Sequence, residues 1–201
     1  MTIYVILFLG LLNWTCFMSS RVLMSLYAIN LGASAAAIGL LIALYGLGPL
    51  LLSVQAGKIS DRIGSYRPIV LGSAGLAVGL VIPYLSRGLP VLYAAALIIG
   101  VALVFLNIAL QHLIASFGGA EQRTRNVSYQ SLAIALGGLI GPLLVGISID
   151  HQGHVPTFLY LALTVAASCA GWWLCRRLVP RSEPTTKPDA GGGAFGMLAQ
   201  P

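Results

Sequence analysis

The stretch that decides the fold is GKISDRIGSYR, residues 57–67, which concentrates charge between two long apolar segments. Four of its eleven side chains are charged, whereas residues 22–56 before it and 68–86 after it contain no charged side chain. A bilayer crossing needs about 20 predominantly apolar residues. The pattern therefore predicts a short polar loop that joins two membrane-spanning helices.

The composition of the whole chain agrees with a membrane protein. Of 201 residues, 58% are hydrophobic, 11 are Lys or Arg and 5 are Asp or Glu, and the mean hydropathy is +0.91. A soluble domain carries about a quarter charged residues, so this composition excludes a nucleic-acid module or a cytosolic enzyme. The three cysteines lie in apolar runs without metal-ligand spacing and are expected to be packing residues.

Six apolar segments predict an all-α membrane protein with six transmembrane helices. The first segment has no cleavage site and stays apolar past Arg21, so it is expected to be a retained helix and not a signal peptide. The predicted helices cover residues 3–29, 35–56, 69–86, 90–116, 125–149 and 156–175. They form a bundle at residues 1–179, and the Pro- and Gly-rich residues 180–201 are expected to be a disordered cytoplasmic linker or a truncated tail.

Basic residues cluster in alternate loops, which predicts the orientation of the chain. Nine lie on one side and only Arg87 on the other. The nine are Lys58, Arg62, Arg67, Arg123, Arg125, Arg176, Arg177, Arg181 and Lys187. Because basic loops stay in the cytoplasm, both termini are expected inside a multi-pass protein of the cell (inner or plasma) membrane, with the lipid bilayer as its surroundings.

The two three-helix halves share the pattern Gly-x3-Asp-x2-Gly, at residues 57–64 and 146–153. A Gly-Pro pair precedes each copy, at Gly48 and at Gly141. Since the two copies end on opposite sides of the membrane, the halves would be a 3+3 inverted repeat, an arrangement common in secondary transporters. A chance likeness of glycine-rich helix ends is the alternative.

The polar loop itself carries a motif with a physical reason. Gly57 lets a helix end approach its neighbour, Gly64 permits a tight turn, and Asp61 and Arg62 can pair with each other or with a helix terminus. With Arg67 just after it, the stretch resembles the loop signature of the major facilitator superfamily, although Ser and Tyr at positions 65 and 66 replace the usual basic pair. An ordinary basic loop is the alternative.

The fifth predicted helix carries a second motif. Gly137, Gly141 and Gly146 let helices touch backbone to backbone, and Pro142 removes a hydrogen bond and bends the helix. The run resembles the fifth-helix signature that the same family associates with proton-coupled antiporters, with Val145 where a glycine is often found. Helix packing alone is the alternative.

The resemblance covers residues 1–179 and implies the amino-terminal half of a twelve-helix fold. In the family the acid of the loop signature meets the eleventh helix, so Asp61 lacks that partner here. A pair between Arg62 and Glu121 is a further hypothesis. The glycine-rich faces of helices two and five are expected to be the surface that contacts the other half.

Polar residues inside the predicted helices mark a candidate pathway for substrate or ions. Arg21 lies roughly 15 Å from the outer end of helix one, and Asn13 is on the same mixed face; helix five adds Gln130. The resemblance implies that helices one and four line the central cavity, which adds Asn107 and Gln111 as contacts. An arginine at this position would favour an anionic or carbonyl-bearing group. Snorkelling of Arg21 to the interface and interhelical bonding by the amides are the alternatives.

Other sites are not expected. His151 and His154 supply only two possible metal ligands, and residues 72–75 lack the order and the distant histidine of an intramembrane serine protease. We therefore predict no catalytic residue, no metal, no cofactor, no nucleic-acid partner and no enzymatic activity.

The function expected is a secondary transporter of the major facilitator type. It would work by alternating access and export or antiport a small molecule, with proton coupling as an option. As a half-length chain it would pair with a copy of itself or with a second six-helix half. The alternative is a truncated, non-transporting remnant or a membrane assembly partner.

Overall fold

A computed structural model describes residues 2–117 and 119–175, which form six α-helices and no strand. All six are long and apolar enough to cross a membrane. The helices are α1 (Thr2–Asn30), α2 (Ala35–Ile63), α3 (Tyr66–Leu85), α4 (Leu89–Ala115), α5 (Ala120–Gln152) and α6 (His154–Leu174). The predicted all-α membrane fold with six spans is confirmed, whereas the tail predicted at residues 180–201 lies outside the described residues.

Three of the predicted loops are wrong in extent. The loop predicted at residues 57–68 shrinks to Gly64 and Ser65, because α2 continues through Ile63. The loops predicted at 117–124 and 150–156 shrink in the same way around a longer α5. Charged side chains are compatible with a helix that projects beyond the apolar layer. The helix α2 therefore continues until Gly64 at φ +79° ends it, and α5 continues until Gly153 at φ +85° ends it.

Backbone-to-backbone contacts hold α4 between α2 and α3. A Cβ atom built on Gly48 would lie 2.5 Å from the carbonyl carbon of Gly100, and one built on Gly72 would lie 2.7 Å from the carbonyl oxygen of Ala102. In lipid no hydrophobic force draws helices together, so close approach of small residues supplies the packing energy. The small residues therefore fix the position of α4 between α2 and α3.

The buried side chains form two clusters along the bundle. The larger includes Phe17, Tyr45, Ile99 and Phe158, and the smaller, near the N-terminal end of α1, includes Trp172. Both clusters are built mainly by α1, α3, α4 and α6. The helices α2 and α5 contribute little to either.

The least covered helices are α2 and α5. In the most apolar window of each, only 17% of residues are buried, against 33 to 50% in the other four helices. Leu50 on α2 is 76% exposed and Leu139 on α5 is 71% exposed. We call the exposed sides of α2 and α5 the bare faces; besides exposed leucines they carry glycines with open space around them, such as Gly46 on α2 and Gly138 on α5.

The inverted repeat stays a prediction. In its favour, the glycines that end α2 and α5 share one backbone conformation, φ 79° and ψ 164° at Gly64 and φ 85° and ψ 176° at Gly153. The close packing of α2 on α4 and of α1 on α5 also has the symmetry that such a repeat would give.

Candidate substrate pathway

One stripe of α1 is left partly open by the neighbouring helices. Its residues follow each other at three- and four-residue intervals and are all partly exposed: Leu11, Trp14, Met18, Arg21 and Ser25. Residues at this spacing share one face of a helix. We call this face the open stripe.

The open stripe lies between two tight contacts. On one side, α5 approaches so closely that a Cβ on Gly141 would lie 2.8 Å from the carbonyl oxygen of Thr15. On the other side, the buried Tyr45 of α2 brings its hydroxyl to 3.2 Å from Ser20 Oγ and 3.0 Å from Met24 Sδ. The stripe is therefore a gap between α2 and α5, and it faces the side on which both of these helices are bare.

Arg21 is the charged residue of the open stripe. It precedes the end of α1 at Asn30 by nine residues, or about 14 Å, which places its Cα deep in a hydrocarbon core about 30 Å thick. Among the residues that the structure describes, its guanidinium forms no hydrogen bond and no ion pair, although its charge is within electrostatic range of the Tyr45 hydroxyl. A charge at this depth costs at least about 2.5 kcal/mol, so it needs water or a partner.

Two turns along the stripe, Trp14 lines a small pocket between α1, α4 and α5. Asn107 and the nearly buried Gln130 also line it. The Trp14 indole Nε1 is buried and has no hydrogen-bond partner among the described residues. The pocket thus combines an aromatic ring with three polar groups in an otherwise apolar wall.

From this pocket a wider cleft of about 810 Å³ leads between α4 and α5 to one end of the bundle. Gln130 lines both, and Gln111 lines the cleft and donates a 3.2 Å hydrogen bond to Asn107 Oδ1. Among the residues that the structure describes, the ionisable groups of the cleft wall are His112 and Arg123, and this described wall includes no carboxylate. The cleft is therefore polar with a positive bias.

The predicted pathway residues do not all meet. Asn107, Gln111 and Gln130 converge on the pocket and the cleft, and Arg21 lies farther along the open stripe. Asn13 instead is fully buried against α6, where its Nδ2 donates 2.9 Å to the Leu9 carbonyl and 2.7 Å to Ser168 Oγ. The structure thus places Asn13 as a link between two helices.

This link supports a first test. A double-mutant cycle with Asn13→Ala and Ser168→Ala is expected to give a coupling of about 0.6 kcal/mol, the average for such bonds in membrane bundles. Unfolding of the purified variants in detergent would measure it. As a control, Ser25 bonds only to the Arg21 carbonyl of its own helix, so Ser25→Ala is expected to show no coupling to Asn13→Ala. Equal coupling in the two cycles would contradict the link.

The loop signature contains an ion pair that sequence analysis missed. Asp61 Oδ1 lies 3.4 Å from Nδ1 of His112 on α4, an ion pair when the imidazole is protonated. Arg62 and Arg67 are exposed and form no ion pair among the described residues, and the side chain of Glu121 lies outside the described part. Asp61 therefore has a neighbour within the chain with which it pairs when His112 is protonated.

The signature of α5 divides between two faces. Gly137 and Gly141 pack on Thr15 of α1, whereas a Cβ on Gly146 would meet nothing within 4 Å. Pro142 lies inside the helix, which continues for ten more residues. Half of the signature therefore builds this bundle and half lies on the bare face.

Two groups of this site were not predicted, namely the Trp14 ring and the Tyr45 hydroxyl. Aromatic residues in an apolar segment are normally taken as core residues. The only feature of the sequence that could have identified these two as site residues is their position on a helix face.

In the described residues, no group of three His, Cys, Asp or Glu side chains is close enough to hold a metal ion.

Six helices long enough to cross a membrane, packed around the open stripe, make this a multi-pass membrane protein. The chain belongs to the Major Facilitator Superfamily, whose family model matches residues 4–199. Multidrug resistance protein 1 of Bacillus subtilis is 25% identical over 160 residues, which cover 80% of this chain and 40% of that protein. Quinolone resistance protein NorA of Staphylococcus aureus is 25% identical over 141 residues, covering 70% and 36%. The chain thus spans about two fifths of the length of the curated relatives it matches.

Solved structures of transporters share the fold. The POT family transporter PepTSo superposes with a TM-score of 0.79 at 14% identity, covering 98% of this chain and 44% of that one. An auto-inhibited POT family peptide transporter gives 0.79 at 18% identity, covering 92% and 39%. At this identity the likeness concerns the fold alone.

Proposed function

We propose that this chain forms the α1–α6 half of a secondary transporter that moves a small molecule across the cell membrane by alternating access. The observation that carries the proposal is the open stripe of α1, because a half-buried arginine and a polar pocket at membrane depth have no use in a purely structural bundle. The activity is transport, and no chemical conversion by this chain is part of the proposal.

The second half of the transporter would cover the bare faces of α2 and α5. Rocking of one bundle against another requires two bundles, and these two helices flank the open stripe on both sides. A second six-helix bundle placed there, either another copy of this chain or different helices, would close the stripe into a cavity. Small residues such as Gly46 and Gly146, which have open space around them, permit close helix contact.

The substrate would be a drug-sized organic molecule moving outward, since relatives are named for multidrug and quinolone resistance. Proton antiport would drive it, as the α5 signature suggests. Among the described residues, Asp61 and Asp150 lie within three residues of a helix end. We therefore place the coupling carboxylate in the second bundle.

The protein would lie in the cell membrane with both termini in the cytoplasm. The contact between Asp61 and His112 joins the C-terminal ends of α2 and α4, so the basic residues that follow those ends share one side. Arg87, between α3 and α4, lies at the opposite end of the bundle. The basic side is the one expected to face the cytoplasm.

Transport in vesicles tests the proposal. The protein, prepared from membranes with any bound second half, is reconstituted with a pH-sensitive dye inside and given a fluorescent quinolone. We expect drug flux coupled to dye response, and about a tenfold lower flux for Gln130→Leu, which removes the polar group shared by pocket and cleft. Gln122→Leu, an equally large change at an exposed site of the same helix, is expected to keep its flux. Flux no greater than in empty vesicles would favour the non-transporting remnant or assembly partner.

A further inference from the structure

From the open stripe we infer the chemical class of the ligand: an organic anion whose carboxylate binds Arg21 and whose aromatic body extends to Trp14. The inference rests on the proposed function, since it concerns the same pathway. It assigns anions to the pathway, whereas the names of the relatives do not specify the charge of the molecules they handle.

The first step of the argument is the missing counter-charge. The Arg21 guanidinium has no ion pair in the described part of the chain. By sequence, the five acidic residues are Asp61, Glu121, Asp150, Glu183 and Asp189; the first three lie within three residues of a helix end, and the last two lie outside the described residues. A guanidinium favours a carboxylate with two parallel hydrogen bonds, and none of the described residues provides that carboxylate at membrane depth.

The second step is the neighbouring hydroxyl. Tyr45 of α2 is buried, and its hydroxyl donates to Met24 Sδ and Ser20 Oγ on α1. The charge of Arg21 is within electrostatic range of this hydroxyl. The neutral Tyr45 hydroxyl has its own acceptors and cannot balance the charge of Arg21, which leaves the guanidinium available to an anion.

The third step is the distance to the aromatic pocket. Trp14 and Arg21 are seven residues apart on one helix face, so their Cα atoms are about 10 Å apart. Asn107 and Gln130 line the same pocket as Trp14, whereas the Trp14 Nε1 is buried. A ligand that spans this distance would stack on the indole, with its anionic end at Arg21 and its other end near the two amides.

The fourth step is the electrostatics of the access route. Among the described residues, the cleft that leads to the pocket is lined by His112 and Arg123 and by no carboxylate, and Asp61 lies 3.4 Å from His112 outside this lining. Arg123 therefore gives the described lining its positive charge, and such a charge raises the local concentration of anions in a cleft with low-dielectric walls. An anion would thus be attracted toward the pocket at Trp14.

Equilibrium binding tests this inference separately from transport. The full chain, with any second half that purifies with it, is placed in nanodiscs of neutral phosphatidylcholine and titrated with biphenyl-4-carboxylate, which is about as long as the gap, and with the uncharged biphenyl-4-carboxamide. Tryptophan quenching reports binding, with empty nanodiscs as blank. We expect the carboxylate to bind at least about tenfold more tightly than the amide, and Arg21→Gln to abolish that preference while changing amide affinity less than about twofold.

Matched variants separate binding from folding. Arg87→Gln, in the loop between α3 and α4, is expected to keep the preference, and Arg21→Lys to keep part of it. Trp14→Leu is expected to weaken the binding of both probes alike, which is measured from the fluorescence of the ligand. Arg21→Gln is expected to unfold at a temperature no lower than that of the unchanged protein, because it removes a charge that is costly at this depth. Equal affinities for the two probes, no binding of either, or an unchanged preference in Arg21→Gln would overturn the inference. Binding with this preference but no flux in vesicles would overturn the proposed transport and leave the anion site standing.

Discussion

Gly48→Ala is expected to destabilise the bundle by about 3 kcal/mol, whereas Gly46→Ala, two residues earlier on the same helix, is expected to be neutral or slightly stabilising. The Cβ atom at position 48 would lie 2.5 Å from Gly100 C and 2.6 Å from both Gly100 O and Val101 N. All three are backbone atoms, which cannot rotate away, so α2 and α4 must separate. Overpacking typically costs about 1 to 3 kcal/mol, and a rigid obstacle puts this site at the upper end.

The control has the opposite sign for a physical reason. Position 46 has open space around it, so the only effect of alanine there is its better helix propensity, worth up to about 1 kcal/mol. Thermal or denaturant unfolding of the purified chains in detergent measures both. The reciprocal change Gly100→Ala, whose Cβ would lie 2.7 Å from Tyr45 O, is expected to behave like Gly48→Ala. Equal stabilities at 46 and 48 would show that the crossing is looser than described.

The second large effect is expected on α5. Gly141→Leu should cost at least about 3 kcal/mol, because the Cβ alone would lie 2.8 Å from both Ser19 Oγ and the Thr15 carbonyl oxygen. Gly138→Leu adds the same side chain to a position with nothing within 4 Å and is expected to change the stability of this chain by less than about 1 kcal/mol.

In the comparison of Gly141→Leu with Gly138→Leu, the stability of the chain and its assembly with a second bundle depend on different faces of α5. Unfolding measures the contact of α5 with α1, and co-purification measures the proposed docking of a second bundle on the bare face. Gly138→Leu is expected to leave unfolding intact and weaken docking, and Gly141→Leu to reduce both. A loss of stability at position 138 as large as that at 141 would mean that α5 has been assigned the wrong inward face.

The sequence was sufficient for the number of helices, because long apolar runs predict spans and the loop signals between them, such as Asn30 to Ser34, divide the runs into six. It was misleading for where α2 ends. Polar residues 58–62 were taken as loop, but polarity marks the edge of the apolar layer and not the end of a helix. The conformational signal was Gly64, at which α2 does end.

The site shows a similar division. Arg21, Asn107, Gln111 and Gln130 were predicted as pathway residues because polar groups in apolar segments need a reason, and that role stays a prediction. Asn13 was assigned to the same face as Arg21, yet eight residues at 100° each put them about 80° apart, enough for one to face α6 and the other the open stripe. Which face of α1 stays open depends on where the neighbouring helices pack, and this cannot be seen in the sequence. The contact of Asp61 with His112 likewise depends on the packing of α2 on α4.

The length of α2 carries its C-terminal end out of the membrane. Its 29 residues make a helix about 44 Å long, which is longer than a hydrocarbon core of about 30 Å is thick. Asp61 and His112 therefore meet in the aqueous or headgroup layer, where salt and water screen a charge pair. Their contact, when His112 is protonated, is expected to weaken as the ionic strength rises, whereas the backbone contact of Gly48 with Gly100 inside the membrane is expected to be unaffected.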